Sequence, residues 1–186
     1  DLRGAFIGSE GTLGIITKVA VRLLPKPEAI HSMLASFTTM DAASQTVSDI
    51  IAAGMVPAAL EMMDRNTIDA VEPFYHPGYP EDAQAVLIVE VDGLKESVEE
   101  QTETVLLICS KNGAMEVREA DDEPTRAKLW ETRKGAVGAY GVIAPTYLLV
   151  DGVVPRTKLR EILQQVDQIA SELDVKIANV FHAGDG

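Results

Sequence analysis

From Ala29 onward the apolar positions switch repeatedly between a period of two and a period near 3.6, which reads as strands alternating with helices. Ser32–Phe37 and Ala58–Met63 have strand patterning, with a helix between them that starts at Asp41, ends at Gly54 and carries Val47, Ile50 and Ile51 on one face. Asp64 or Asn66 starts a short helix that stops before the Pro73–Pro80 loop. Val86–Val91 is a nearly unbroken apolar run rich in β-branched residues, as expected of a strand buried on both faces. Leu94–Asn112 is a helix with Glu96, Glu99 and Glu100 in its first turns and Gly113 at its end. Met115–Arg118 is a short strand, and Asp121 or Asp122 caps a helix through about Tyr140 with Pro124 in its first turn. Tyr147–Val154 is a strand. Pro155 opens a helix whose Leu159, Ile162, Leu163, Val166, Ile169, Ala170 and Leu173 keep the helical period, and Lys176–His182 is the last strand.

The first 27 residues differ. A Gly-punctuated loop leads into Ile15–Leu24, where Thr17 to Leu23 partly alternates like a strand with one wet face, and Pro25 and Pro27 close it. A boundary near residue 27 separates this segment from residues 28–186. The alternation beyond it permits a doubly wound sheet or a ferredoxin-like α+β sandwich. Short connections and mixed patterning favour the second, an antiparallel sheet with helices on one face.

Composition narrows the classes. At 186 residues the chain is one ordinary domain or two small ones. Sixteen Lys and Arg against 29 Asp and Glu give a net charge of −13, a field that repels a phosphate backbone and argues against nucleic acid as a partner. The apolar runs are too short to span a bilayer. A single cysteine, Cys109, excludes an internal disulfide and suits a reducing cytoplasm. The close on Gly184-Asp185-Gly186, straight after an apolar strand-like run, predicts a piece of a longer protein.

Three places carry candidate chemistry. Gly8-Ser9-Glu10-Gly11-Thr12-Leu13-Gly14-Ile15 has three glycines at a spacing of three, which lets backbone approach a ligand closely but equally suits a Gly-rich hairpin. It is not the dinucleotide G-x-G-x-x-G, because a strand rather than a helix follows. Arg133 lies four residues after Leu129, three after Trp130 and four before Val137, on the apolar face of its helix. A guanidinium there needs an anion, either a ligand carboxylate or phosphate or an internal Asp or Glu. His182 ends a strand, where loops shape sites, and is read either as a ligand or as a structural histidine. No Ser-His-Asp order, P-loop or H-E-x-x-H is present.

Taken together, Gly8–Thr17, Leu23-Leu24-Pro25, Glu61-Met62-Met63-Asp64-Arg65, Leu129–Lys134, Val150–Arg156 and Val180–Gly186 resemble, in order, the FAD-linked oxidases of the glycolate oxidase flavoprotein, D-lactate dehydrogenase and D-2-hydroxyglutarate dehydrogenase type. The resemblance covers the whole chain. It implies that residues 1–27 close an FAD-binding domain and that 28–186 form most of a substrate-side cap domain. It implies FAD contacts from Gly8, Ser9, Glu10, Gly11, Thr12, Gly14 and Ile15, a substrate carboxylate on Arg133, and a divalent metal such as zinc or manganese on His182. The activity implied is oxidation of a small 2-hydroxy acid with hydride transfer to the flavin, in the cytoplasm or at the inner face of a membrane. An electron-acceptor subunit and a second copy of the chain are the protein partners it suggests. The family motif runs on past His-Ala-Gly-Asp-Gly to a second metal-binding His and a later carboxylate, which this sequence does not contain. Val137 and Leu149 stand where the hydroxyglutarate enzyme has polar substrate contacts, which favours a small acid such as glycolate or lactate. The competing class is a stand-alone ferredoxin-like binding or regulatory module.

Overall fold

A computed structural model describes residues 1–120 and 122–184. A short helix α1 (Leu2–Phe6) is followed by β1 (Ala29–Phe37), α2 (Met40–Ala52), β2 (Ala59–Asp64), α3 (Arg65–Tyr75), β3 (Ala85–Gly93) and α4 (Lys95–Lys111). Then come β4 (Glu116–Ala120), α5 (Glu123–Ala139), a 3₁₀ turn at Arg156–Lys158, α6 (Leu159–Leu173) and β5 (Val180–His182). The strands form one antiparallel sheet in the order β4-β1-β3-β2-β5. The first four, in the order β4-β1-β3-β2, repeat the split β-α-β arrangement of ferredoxin-like folds, with β5 added beside β2. The α+β class expected from the sequence is the one found.

The two faces of the sheet differ, because a pleated strand sends alternate residues to opposite sides. Met33, Ala35, Phe37, Leu60, Met62, Leu87, Val89 and Val91 face one way and pack with Val47 and Ile50 of α2, Val98, Val105 and Cys109 of α4, and Leu159 and Leu163 of α6. This face is apolar apart from His31 and Glu119, which pair at its rim at 3.1 Å. The other face carries Leu34, Met63, Val86 and Ile88, but also Ser32, Glu61 and Glu90, all buried. α3 and α5 cover it, so helices lie on both sides of the sheet rather than on one, packed by Ile68, Leu129 and Trp130. α3 and α5 meet at Gly135, where a Cβ would lie 1.9 Å from the Tyr75 hydroxyl.

Several local expectations are corrected. α2 is capped by Thr39, whose extended backbone lets its hydroxyl accept from Ala42 N at 3.1 Å; Asp41 pairs instead with Arg160 of α6. α3 runs through Pro73 to Tyr75 and ends on His76 in the left-handed region (φ 44°). α5 is capped by Asp122, as expected, while Asp121, the other candidate, lies outside the described residues, as do Asp185 and Gly186. The strands expected at Ile15–Leu24 and Tyr147–Val154 join no ladder among the described residues. Most of their apolar side chains stay exposed, Ile15 and Val153 at 88%, and Val154 alone of the second segment packs against the core. Period-two patterning marks a face to be covered, and without a neighbour to pair with, an extended segment does not become a strand. Only the last three residues of Lys176–His182 are strand. Among the described residues no helix is long and apolar enough to cross a membrane.

The polar face depends on its carboxylates being matched. Glu90 Oε2 accepts from Ser32 Oγ (2.5 Å), Arg126 Nε (2.8 Å) and Trp130 Nε1 (2.9 Å). Burial is the largest single influence and pushes its carboxyl up, but the three donors together outweigh it and hold the group below the usual range. A carboxylate held low in the folded state contributes stability above its unfolded pKa and loses it as pH falls through the folded value. Glu90→Gln should therefore cost about 2–3 kcal/mol at neutral pH. The gap between wild type and variant should close as pH drops below about 4 in urea unfolding. A gap that is constant with pH would show that charge plays no part.

Candidate functional site

Register and helical spacing assemble the site. On β2, Glu61 lies opposite Ile88 of β3 on one side and His182 of β5 on the other, so the Glu61 and His182 side chains share the polar face. Along α5, Arg126, Trp130 and Arg133 follow at intervals of four and three, which aligns them in one stripe. The stripe crosses the polar face. Its first two members reach Glu90, and its third reaches Glu61.

Glu61 is the centre of the cluster. Its Oε2 accepts from Arg133 Nε (2.9 Å) and Nη2 (2.8 Å), and its Oε1 is bonded to His182 Nδ1 (2.5 Å). Burial falls off outward: the Glu61 side chain is 6% exposed, Arg133 16% and His182 69%. A carboxylate only accepts, so neutral His182 carries its proton on Nδ1 and leaves Nε2 as an acceptor at the rim. The Arg133 guanidinium spends one edge on a single oxygen of Glu61 and retains further donors. The internal ion pair that the sequence left open for Arg133 is thus present, and it is shared with the histidine. Beside the cluster lies a groove of about 450 Å³ whose walls include Met55, Leu60, His182, Gly184 and Arg156. Arg156 Nη1 donates to Gly184 O at 3.1 Å.

Arg133 and His182 are therefore brought together; the Gly8–Ile15 segment is not brought to them. Its hydrogen bonds are local, with Thr12 N and Oγ1 both donating to Ser9 O. Gly8 (φ 77°), Glu10 (φ 50°) and Gly11 (φ 79°) have left-handed backbone, and no atom lies within 4 Å of a Cβ built on Gly8 or Gly11. It forms an open turn rather than a hairpin. Among the described residues no three His, Cys, Asp or Glu side chains are grouped to hold a metal. Glu61 itself was not singled out in the sequence. The signal was there: Glu61 and Glu90 are the acidic residues set inside otherwise apolar stretches, Leu60–Met63 and Val86–Val91.

A carboxylate, a guanidinium and an imidazole are thus gathered near the β2–β5 edge of a ferredoxin-like α+β domain. The comparison with known families is specific: residues 26–186 match FAD linked oxidases, C-terminal domain, and the chain belongs to that family. Its whole length is 47% identical to glycolate oxidase subunit GlcD of Escherichia coli K12 and 43% identical to that of Bacillus subtilis 168, covering 37% and 40% of those proteins. A probable mitochondrial D-lactate dehydrogenase of Danio rerio is 34% identical over 190 residues, with 37% of its length covered. The chain thus spans well under half of each of these relatives. Among solved structures, an alkyldihydroxyacetonephosphate synthase shares the fold at a TM-score of 0.65 and 20% identity, covering 91% of this chain and 36% of that one.

The tautomer gives a direct check. In ¹⁵N spectra at neutral pH, unprotonated His182 should show its hydrogen on Nδ1, and Glu61→Gln should mix in the Nε2–H form. An Nε2–H form in the wild type would break the Glu61–His182 bond described above.

Proposed function

We propose that this chain is the C-terminal part of an FAD-dependent oxidoreductase that oxidises a small 2-hydroxy acid of the glycolate or D-lactate type to the 2-oxo acid. The observation that carries the proposal is the Glu61 carboxylate holding Arg133 and His182 on its two oxygens. A 2-hydroxy acid bears its carboxylate and its hydroxyl on adjacent carbons. Arg133 and His182, spaced by one carboxyl group, offer a cation for the first and a ring nitrogen for the second. The likeness of this whole chain to parts of glycolate oxidase and D-lactate dehydrogenase proteins supports the same reading.

In this proposal Arg133 binds the substrate carboxylate with the donors that Glu61 leaves over, and Glu61 keeps the guanidinium from swinging away. His182 Nε2 receives or orients the hydroxyl hydrogen, its acceptor state maintained by the Nδ1–H bond to Glu61. Val137, one helical turn beyond Arg133, offers no partner to a second substrate carboxylate, which favours a small monoacid. FAD, when bound, supplies the acceptor for the hydride from C2. The open left-handed turn at Gly8–Gly11 fits close approach of a flat ring to backbone, so Gly8, Ser9, Glu10, Gly11, Thr12, Gly14 and Ile15 would line the cofactor, and residues 1–27 would close its domain.

For zinc or manganese the donor chemistry suits as far as it goes: an imidazole anchored at Nδ1 by a carboxylate presents Nε2 to a metal. One ligand is not a site, a stable one needs about three, and the described residues provide no such set. No step is therefore routed through a metal. The GlcD relatives are named as subunits, and we propose an electron-accepting partner subunit for the same reason, in the cytoplasm or at the inner face of a membrane.

The full-length protein tests this reading. Mixed without oxygen, its flavin should bleach with glycolate or D-lactate and not with the L-acid or a simple alcohol. Absence of FAD, or no bleaching with any 2-hydroxy acid, would favour the stand-alone binding module. Arg133→Lys keeps the charge but loses the planar fork. Loss of one partner of a buried charge pair costs about 2–5 kcal/mol, so kcat/KM should fall by roughly thirtyfold to several thousandfold. Wild-type kinetics in a folded Arg133→Lys protein would leave Arg133 as an internal ion pair only.

A further inference from the structure

We infer that Asp64 and Asn179 are positioning residues that set the place of His182; the catalytic consequence, though not the inference itself, rests on the function proposed above. β5 has three residues, sits at the edge of the sheet and pairs only with β2 among the described residues. Such a short ladder is weak, and packing cannot hold the His182 side chain, which is mostly exposed. A slip of one residue would turn His182 to the opposite face and away from Glu61.

After the strand, Ala183 is buried and Gly184 N donates to Leu60 O at 3.3 Å; the denser set of bonds that fixes the register lies just before it. Asp64 Oδ2 accepts from both the backbone N (2.7 Å) and the side-chain Nδ2 (2.8 Å) of Asn179. Asp64 N donates to Asn179 O at 3.1 Å, and Thr67 Oγ1 donates to the same oxygen at 3.0 Å. One residue thus has its backbone donor, its backbone acceptor and its side-chain amide all bound by the start of α3. Asn66 Nδ2 adds a bond to Ile177 O at 2.6 Å. The other oxygen of Asp64 caps α3 through Thr67 N at 2.8 Å. Asp64 is buried, and that burial, the dominant influence, holds its carboxyl above the usual range in spite of these bonds. Capping alone does not call for a carboxyl kept at such a cost, since serine caps a helix as well. Reach is the difference: an Asp side chain spans both the cap and Asn179, whereas a Ser hydroxyl serves the cap only.

Asp64→Ser in the full-length protein separates the two roles. With the clamp broken and the cap kept, amides 180–184 should exchange with deuterium at least about tenfold faster, a change of roughly 1.4 kcal/mol in local opening, while α3 stays protected. The ¹⁵N signature of His182 on Glu61 should weaken with it. Asn179→Leu, which leaves Asp64 and its cap untouched, should do the same and guards against a folding defect in the first variant. Unchanged exchange at 180–184 and an unchanged His182 signature in both folded variants would overturn the inference. Under the proposed function kcat should also fall, with KM less affected. Faster exchange with wild-type turnover would uphold the clamp and remove His182 from the reaction.

Discussion

A carboxylate buried on a sheet face under a helix must have its charge matched, and Glu61 has this done by two partners far apart in sequence. Arg133 comes from α5, 72 residues on, and His182 from the edge strand, 121 residues on. Removing either leaves a buried charge short of a partner, and the penalty falls on the fold as well as on the site. Much of the polar side of the molecule follows from this demand. α5 must lie across β1–β3–β2 with one stripe toward the sheet. β5 must be long enough to bring one side chain opposite Glu61, and its start must be held by something other than its own ladder.

The two faces divide the labour. The face toward α2, α4 and α6 is apolar apart from the His31–Glu119 pair at its rim, with Phe37, Met33, Leu87 and Val89 inaccessible to water, and burial there supplies the cohesion. The opposite face gives up part of that gain, for Glu61, Glu90 and Ser32 occupy positions where aliphatic side chains would pack. Each is compensated by a directional bond, and directional bonds fix angles that apolar contacts leave loose. A site that must hold a cation and an imidazole at a set spacing belongs on such a face.

Much of the architecture was legible because it rests on local patterning. Val86–Val91 reads as a doubly buried strand from its composition, and Asp122 with Pro124 reads as a helix start. Arg133 and His182 were legible as residues needing partners, one from its place on an apolar face and the other from the end of a strand. Glu61 was not, since an acidic residue beside apolar ones looks like the wet face of any strand until register and the covering helix are known. The segments Ile15–Leu24 and Tyr147–Val154 failed the other way. Their alternation is real, but it records a surface to be covered, and no neighbour among the described residues covers it.

Fold and chemistry separate here. The alkyldihydroxyacetonephosphate synthase has the same sheet and helices at 20% identity, and that likeness carries architecture only. What the fold alone does not fix is the set of side chains on the polar face and the order in which they are buried. Glu61 is innermost, with both oxygens committed; Arg133 is next, with part of its guanidinium committed; His182 is outermost, with one nitrogen committed and one left over. His182 and Arg156 line the groove beside β2, and Arg133 lies on the other oxygen of Glu61, outside the groove's walls. Under the proposed function, the deeper guanidinium suits the anionic end of a small hydroxy acid, and the exposed imidazole suits its hydroxyl.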